Sequence, residues 1–296
     1  MDDMNRTKIE WVKNPDGTQG YTWNPLTGCL NHVNGLCKGG GFPCYAYRLA
    51  NGRLRTRYLA NHNMSPFENI EDEDGGDHWQ FHDPFYPRFW PERLEELRPI
   101  GGIVCELVYP PKTERGIFVC DMSDLFGIGI PEQWTQAVLH MIKKWPAHRF
   151  YLLTKQPQNL AKWSPFPDNC WVGVTATNND MAFMAVGYLR QIEAKVKFIS
   201  FEPLLKPVIR WIGDAEYLFQ HLNWVIIGAQ TKPAVFPRIE WVEEIVGACD
   251  RAGVSVFLKD NLKPILPKEV PTFYTLADPW NEVDQKPVLR QELPGE

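Results

Sequence analysis

The sequence predicts an α/β fold built on a parallel sheet, a partial or closed (β/α) barrel. Three observations predict it. From residue 116 onward, short apolar runs alternate with helical patterns. The runs are rich in Val, Ile and Phe and almost unbroken in apolarity, as strands buried on both faces must be. The stretches between them carry the 3.6-residue period of amphipathic helices, and strand and helix in turn imply right-handed crossovers between parallel strands.

The elements follow in order. A first strand is expected near GYTWN (20–24), then GIFVC (116–120), RFYLLT (149–154), CWVGVT (170–175), VKFISF (196–201), NWVIIG (223–228) and VSVFLK (254–259). About seven strands suit an α/β barrel; a doubly wound open sheet is the alternative, because alternation alone does not separate the two. The helix PEQWTQAVLHMIKK opens on Pro131 and sets Trp134, Val138, Met141 and Ile142 on one face. IEWVEEIVGACDRAG sets Trp241, Ile245, Ala248 and Ala252 on one face and stops at Gly253. Residues 63–115 break the rhythm as an irregular insertion in a single domain spanning 1–296. It holds the acidic run ENIEDEDGGD, read as a solvated loop, and the aromatic stretch HDPFYPRFWPERL, read as an excursion packed against the barrel.

Composition narrows the function. No apolar run approaches the roughly 20 residues that cross a bilayer. The start, MDDMNRTKIEW, lacks the apolar stretch of a secretory signal, so a cytoplasmic protein away from membranes is expected. A net charge of −5 argues against bulk capture of duplex nucleic acid. Twelve Trp, 16 Phe and 10 Tyr suit either a large core or stacking surfaces. Seven cysteines, an odd number, disfavour a disulfide framework and leave buried thiols or metal ligands.

Three of these cysteines crowd one segment as C-x7-C-x6-C: Cys29, Cys37 and Cys44. Thiolates converging from a Gly-rich loop hold either zinc, with His32 or His62 as a fourth ligand, or a four-iron cluster with one iron left open. Three ordinary thiols would give the same spacing. Cys120, Cys170 and Cys249 lie in or beside apolar runs and read as core thiols. Histidines 78, 82, 140, 148 and 221 show no ligand spacing.

In α/β barrels chemistry sits at the C-terminal strand ends. There the sequence places Asp121, Ser123 and Asp124; Thr154 and Lys155; Thr175 and Thr177; Glu202; Gln230; and Lys259 and Asp260. Lysines at 155 and 259 suit a carboxylate or phosphate. The same residues have plainer readings: Asp121 and Asp124 as caps of a turn, and Lys155 with Glu202 as a structural ion pair. The segment YAYRLANGRLRTRYLANH carries Arg48, Arg53, Arg55 and Arg57 among tyrosines and no acid. That suits nucleic-acid contact, but the overall acidity favours a solvated helix face offset by the acidic run downstream.

Taken together, TKIEW, TWNPLTGC and CYAYRLA resemble a phage- and bacterium-encoded family of uncharacterised three-cysteine proteins considered radical-SAM-like. The resemblance runs on through FVCDMSDLFG, LLTKQP, WVGVT, FISFEPLL, WVIIGAQ and VFLKD. FVCDMSDLFG followed by LLTKQP also looks like the second and third strands of radical-SAM lyases that repair nucleic acid. One departure stands out: two residues separate the family's second and third cysteines, whereas KGGGFP separates Cys37 and Cys44 here.

The resemblance implies a barrel of radical-SAM type with a 4Fe–4S cluster on Cys29, Cys37 and Cys44. S-adenosylmethionine would chelate the open iron, and an electron passed from a donor would cleave it to a 5′-deoxyadenosyl radical acting on an unnamed substrate. It also implies Asp121, Ser123 and Asp124 near the methionine ammonium, Thr175 and Glu202 as further cofactor contacts, and Lys155, Glu202 and Lys259 as the catalytic set. Two alternatives stand beside it: a non-catalytic metal-stabilised module, and a cofactor-free barrel enzyme acting on phosphorylated small molecules.

Overall fold

The computed structural model describes residues 4–66, 79–97, 114–211, 213–268, 270–276 and 287–295. The acidic run 68–77, His78, Cys105 and much of the expected insertion lie outside the described residues. The chain falls into two compact units.

The first unit comprises Met1–Lys8, Val12–Asn159 and Pro167–Cys170. Its sheet runs β1 (Asn5–Arg6), β2 (Tyr21–Trp23), β5 (Gly116–Val119), β6 (Arg149–Thr154). β2 pairs parallel with β5, Tyr21 opposite Ile117, and β5 parallel with β6, Gly116 opposite Arg149. β1 runs antiparallel to β2, so that edge ends the parallel series. Between β2 and β5 the chain makes a hairpin, β3 (His32–Val33) and β4 (Leu36–Cys37), and two short helices, α1 (Tyr45–Ala50) and α2 (Arg55–Leu59). α3 (Glu132–Lys144) follows β5 with Pro131 at its N-cap and buries Val138, Met141 and Ile142, as its period predicts.

The described part of the aromatic excursion packs on the cysteine loop. Phe85 and Trp90 share a buried cluster with Ala46, Ala50, Tyr58 and Met122, against which Cys29 and Cys44 also pack. Arg88 pins that excursion. Its guanidinium is wholly buried and donates to the carbonyls of Asn61 (3.0 Å), Asp83 (2.8 Å) and Tyr86 (2.9 Å), which offsets the cost of burying it.

The second unit comprises Ile9–Trp11, Leu160–Phe166 and Trp171–Glu296. β7 (Cys170–Thr175), β8 (Val196–Phe201), β9 (Trp224–Ile227) and β10 (Ser255–Leu258) pair in that order, all parallel. α4 (Asn179–Leu189), α5 (Asp214–Phe219) and α6 (Ile239–Ala252) are the crossovers. α6 ends at Gly253 in the left-handed conformation, φ 67°. Its buried stripe is Val242, Ile245, Val246, Ala248 and Cys249, rotated from the expected one: Trp241 is half-buried and Ala252 exposed. Trp11, Trp171, Phe198, Trp224 and Phe257 form the aromatic core, with ring centroids 5.3–6.2 Å apart. Gly173 leaves room for it, since a Cβ there would stand 2.3 Å from the Phe198 ring.

The result is a mixed α/β fold with mostly parallel central strands. Among the described residues the central strands do not close into a barrel, which corrects the closed-barrel alternative. Closure needs continuing parallel strands with a consistent stagger, and the two-residue antiparallel β1 stops the series.

Candidate functional site

The cysteine loop is built from backbone geometry. Gly28 takes φ 86° and lies where a Cβ would meet the Phe85 and Tyr86 carbonyls at 2.6 Å or less. Its neighbour Cys29 is thereby fixed: its N–H donates to Phe85 O at 2.9 Å and its Sγ accepts the Asn31 N–H at 3.3 Å. Asn34 and Gly35, at φ 48° and 80°, turn the β3–β4 hairpin and bring up Cys37. The inserted KGGGFP folds back on itself, with Gly41 N–H on Cys37 O (2.7 Å) and Cys37 N–H on Phe42 O (2.9 Å). Cys44 N–H then returns to Gly35 O at 2.8 Å. Cys44 is the N-cap of α1, its Sγ accepting the Tyr47 N–H at 3.5 Å. The longer spacing is taken up as a loop.

A charged side chain, Lys155, lies beside the Cys37 sulfur. A Cβ on Gly39 would stand 3.1 Å from Lys155 Cβ and 3.6 Å from Cys37 Sγ, so lysine and cysteine flank that glycine. Lys155 Nζ lies 5.9 Å from the Phe42 ring centroid. Burial works against the Lys155 charge, but Cys37, Asp124, Cys44 and Cys29 outweigh it and hold its pKa above that of an ordinary lysine. Burial pushes the Cys29 thiol up to about 12, Asp124 adding to the effect. Burial also raises Cys37, with Lys155 opposing. Cys29 is coupled to Cys37 and Cys37 to Cys44, so the three thiols occupy one electrostatic neighbourhood.

Among the described residues, no three His, Cys, Asp or Glu side chains stand close enough to hold a metal ion. A single zinc about 2.3 Å from each sulfur would draw the sulfurs to about 4 Å of one another. A cluster is less demanding, because each thiolate takes a different iron. Three thiols from one loop suit a cluster in donor type. Of the histidines named as a fourth ligand, His32 Nδ1 accepts the Gly35 N–H (3.3 Å) and its ring packs on Tyr47 and Phe85, while the His62 ring lies 6.4 Å from that of Phe81.

The segment after β5 is held from several sides. Asp121 accepts Asn24 Nδ2 at 2.5 Å, the Tyr45 hydroxyl meets the Asp121 carbonyl, and burial raises the Asp121 pKa. Ser123 Oγ donates to Gly28 O at 2.6 Å. Asp124 is buried, and its carboxylate accepts the Thr154 hydroxyl (2.7 Å) and the N–H groups of Lys155 (3.0 Å) and Phe126 (3.2 Å). It ties the end of β5 to the end of β6.

In the second unit, Glu202 and Lys259 form an ion pair at the ends of β8 and β10. Glu202 thus takes Lys259 as its partner where the sequence suggested Lys155. Glu202 Oε2 also accepts Trp11 Nε1 (2.8 Å) and Ser200 Oγ (3.2 Å). Gly228 makes room for the pair: a Cβ there would stand 2.9 Å from Lys259 Cδ. Burial opposes the Lys259 charge, but Glu202 outweighs it and raises the pKa. Thr175 stands opposite Ser200 in the β7–β8 register, and its buried hydroxyl has no partner among the described residues. Thr177, Gln230 and Asp260 are engaged elsewhere, with Met181, the Pro233 carbonyl and Lys263 respectively. Trp11 and Asn24 were not singled out by sequence, and Tyr45 only as one of the tyrosines among the arginines, although all three sit inside the motifs TKIEW, TWNPLTGC and CYAYRLA.

A family model described as "Protein of unknown function (DUF5131)" matches residues 6–263. No curated protein matches the chain. Among solved structures, "Spore photoproduct lyase complexed with dinucleoside spore photoproduct" is similar at a TM-score of 0.47 and 12% identity, over 87% of this chain and 79% of that one. Among the described residues no helix is long and apolar enough to cross a membrane.

Proposed function

This chain belongs to the DUF5131 family, and we propose that it is an iron–sulfur enzyme of radical S-adenosylmethionine type, with Cys29, Cys37 and Cys44 as the residues that hold a 4Fe–4S cluster. The observation that carries the reading is that the half-buried Lys155 and Cys37 flank Gly39, in the loop that also carries Cys29 and Cys44. When bound, the cluster would supply single electrons for cleavage of the sulfonium.

The chain's own residues do the positioning. Lys155 offsets the negative charge that three thiolates accumulate, which the burial of Cys29 and Cys37 otherwise opposes. Asp121 and Ser123, beside Cys29 through Gly28, serve the cofactor's ammonium, and Asp124 fixes the Lys155 backbone. In the second unit, Thr175 has a buried hydroxyl with no partner among the described residues, suited to a cofactor hydroxyl, and Glu202 and Lys259 form a charged pair suited to polar groups of cofactor or substrate.

The test is anaerobic purification followed by iron and sulfide analysis, then assay for 5′-deoxyadenosine after adding S-adenosylmethionine and a reductant. A coloured protein that consumes the cofactor supports the reading. Protein that reconstitutes only with zinc, or loads iron without responding to S-adenosylmethionine, overturns it.

A further inference from the structure

We propose that α1, α2 and the groove beside them bind single-stranded nucleic acid through its phosphodiester backbone. This deepens the reading above by naming a substrate class and rests on that reading only for the chemistry that follows binding.

The first observation is a segregation of charge. From Gly17 to Pro66 the chain has no acidic residue but carries Lys38, Arg48, Arg53, Arg55 and Arg57, in a protein of net charge −5. All five are exposed. Among the described residues Arg48, Arg53 and Arg55 make no ion pair. The cost of holding like charges on one short helix pair is lowered by a polyanion.

The second observation is a groove of about 460 Å³ next to these helices, lined by Arg57, Asn61, His62, Asn63, Phe89 and Trp90. That volume falls within the range of sites that take ligands of nucleotide size. The Arg57 guanidinium lies 6.0 Å from the Trp90 ring centroid. His62 is exposed at the groove, its ring 6.4 Å from that of Phe81, which is 38% exposed. Trp90 is buried and Phe89 stacks on Trp134 (5.4 Å), so the exposed rings are His62 in the groove and Phe81 beyond it. Exposed rings are what unstacked bases use, and a duplex keeps its bases stacked and out of reach. Glu92 also lines the groove and disfavours phosphate close to it, so the backbone contacts are assigned to the exposed Arg53 and Arg55. An acidic protein would meet the same arginines but would not need the aromatic faces.

The test uses full-length protein and fluorescence anisotropy of a labelled short oligothymidylate over a range of salt concentrations. A duplex of the same length and polyglutamate serve as competitors. Arg53→Ala with Arg55→Ala should weaken binding about ten-fold at low salt and reduce the salt slope by about 1.4, since each phosphate contact on a single strand contributes about 0.7. His62→Ala should weaken binding about five-fold while leaving the slope unchanged. Circular dichroism confirms that these surface variants fold. Wild-type affinity in the arginine variant, equal affinity for duplex, or equal competition by polyglutamate would overturn the proposal. Iron content, measured on the same preparations, separates the two readings: oligonucleotide binding without iron sinks only the cluster, and iron without oligonucleotide binding sinks only this surface.

Discussion

Lys155 and Lys259 are both lysines just beyond a parallel strand, both half-buried, and both held above the ordinary lysine pKa against the pull of burial. They differ in what faces them. Lys259 meets the carboxylate of Glu202, which Trp11 and Ser200 hold in turn. Lys155 makes no ion pair among the described residues; its largest favourable neighbour is a sulfur, Cys37. The second unit's cluster is closed on itself, whereas in the first unit the cation faces Cys37 first and then the Asp124 carboxylate, which Thr154 and two backbone N–H groups already hold. A self-satisfied pair fixes structure. A cation beside the raised thiols of Cys29 and Cys37 favours whatever deprotonates them, as metal binding does.

The largest effect should separate the cysteines of this loop from those of the core. Cys37→Ala should abolish iron loading, measured as iron per chain after anaerobic reconstitution. Cys249→Ala, deep in α6, should load normally and cost only about 1 kcal/mol in chemical denaturation. If Cys249→Ala loses its iron and Cys37→Ala does not, the contrast collapses.

Asp124 comes next. Because Thr154, Lys155 and Phe126 all donate to it, Asp124→Ala strands buried donors and should cost roughly 2–4 kcal/mol in urea titration. It should also lower iron loading, since it fixes the Lys155 backbone. Full loading with unchanged stability would show that Asp124 serves a ligand and not the fold.

The Glu202–Lys259 pair should read out as pH-dependent stability. A lysine whose folded pKa is raised contributes stability that is fully present below its unfolded value, 10.5, and lost as pH rises through the folded value. Glu202→Gln should therefore cost about 1–3 kcal/mol near neutrality and flatten the alkaline decline. An equally steep decline in the variant would mean that the pair is not the cause.

The smallest effect tests Lys155 directly. Lys155→Met removes the cation that opposes the burial of Cys37, so that thiol's pKa should rise further. In metal-free protein the alkylation of Cys37, followed by peptide mass spectrometry, should shift to higher pH, with Cys170 as the unaffected control. No shift would remove Lys155 from the sulfur site.

Much of the fold was legible because it is local. Runs such as CWVGVT and NWVIIG are strands for their apolar continuity, and Pro131 and Gly253 mark helix ends through backbone restrictions that hold anywhere. The face of α6 was misread because Trp241 counts as apolar but lies at the rim, 5.7 Å from the Arg238 guanidinium. The site was less legible. Trp11 reaches Glu202 across 191 residues, and no periodicity encodes such a contact. Cys44 as a helix cap escaped notice because hydroxyls, carboxylates and amides usually fill that position. The motifs themselves contained Trp11, Asn24 and Tyr45 without saying what each touches.

That cap makes α1 conditional. Six residues are too few to sustain a helix in isolation, and one of the first-turn amides, that of Tyr47, rests on the Cys44 sulfur. Alkylation or oxidation of Cys44 adds bulk that moves the sulfur out of the cap, the first turn frays, and the Tyr47 amide exchanges its hydrogen with solvent faster. A single amide resonance thus works as a gauge of the chemical state of the loop, legible by hydrogen exchange with no substrate in hand.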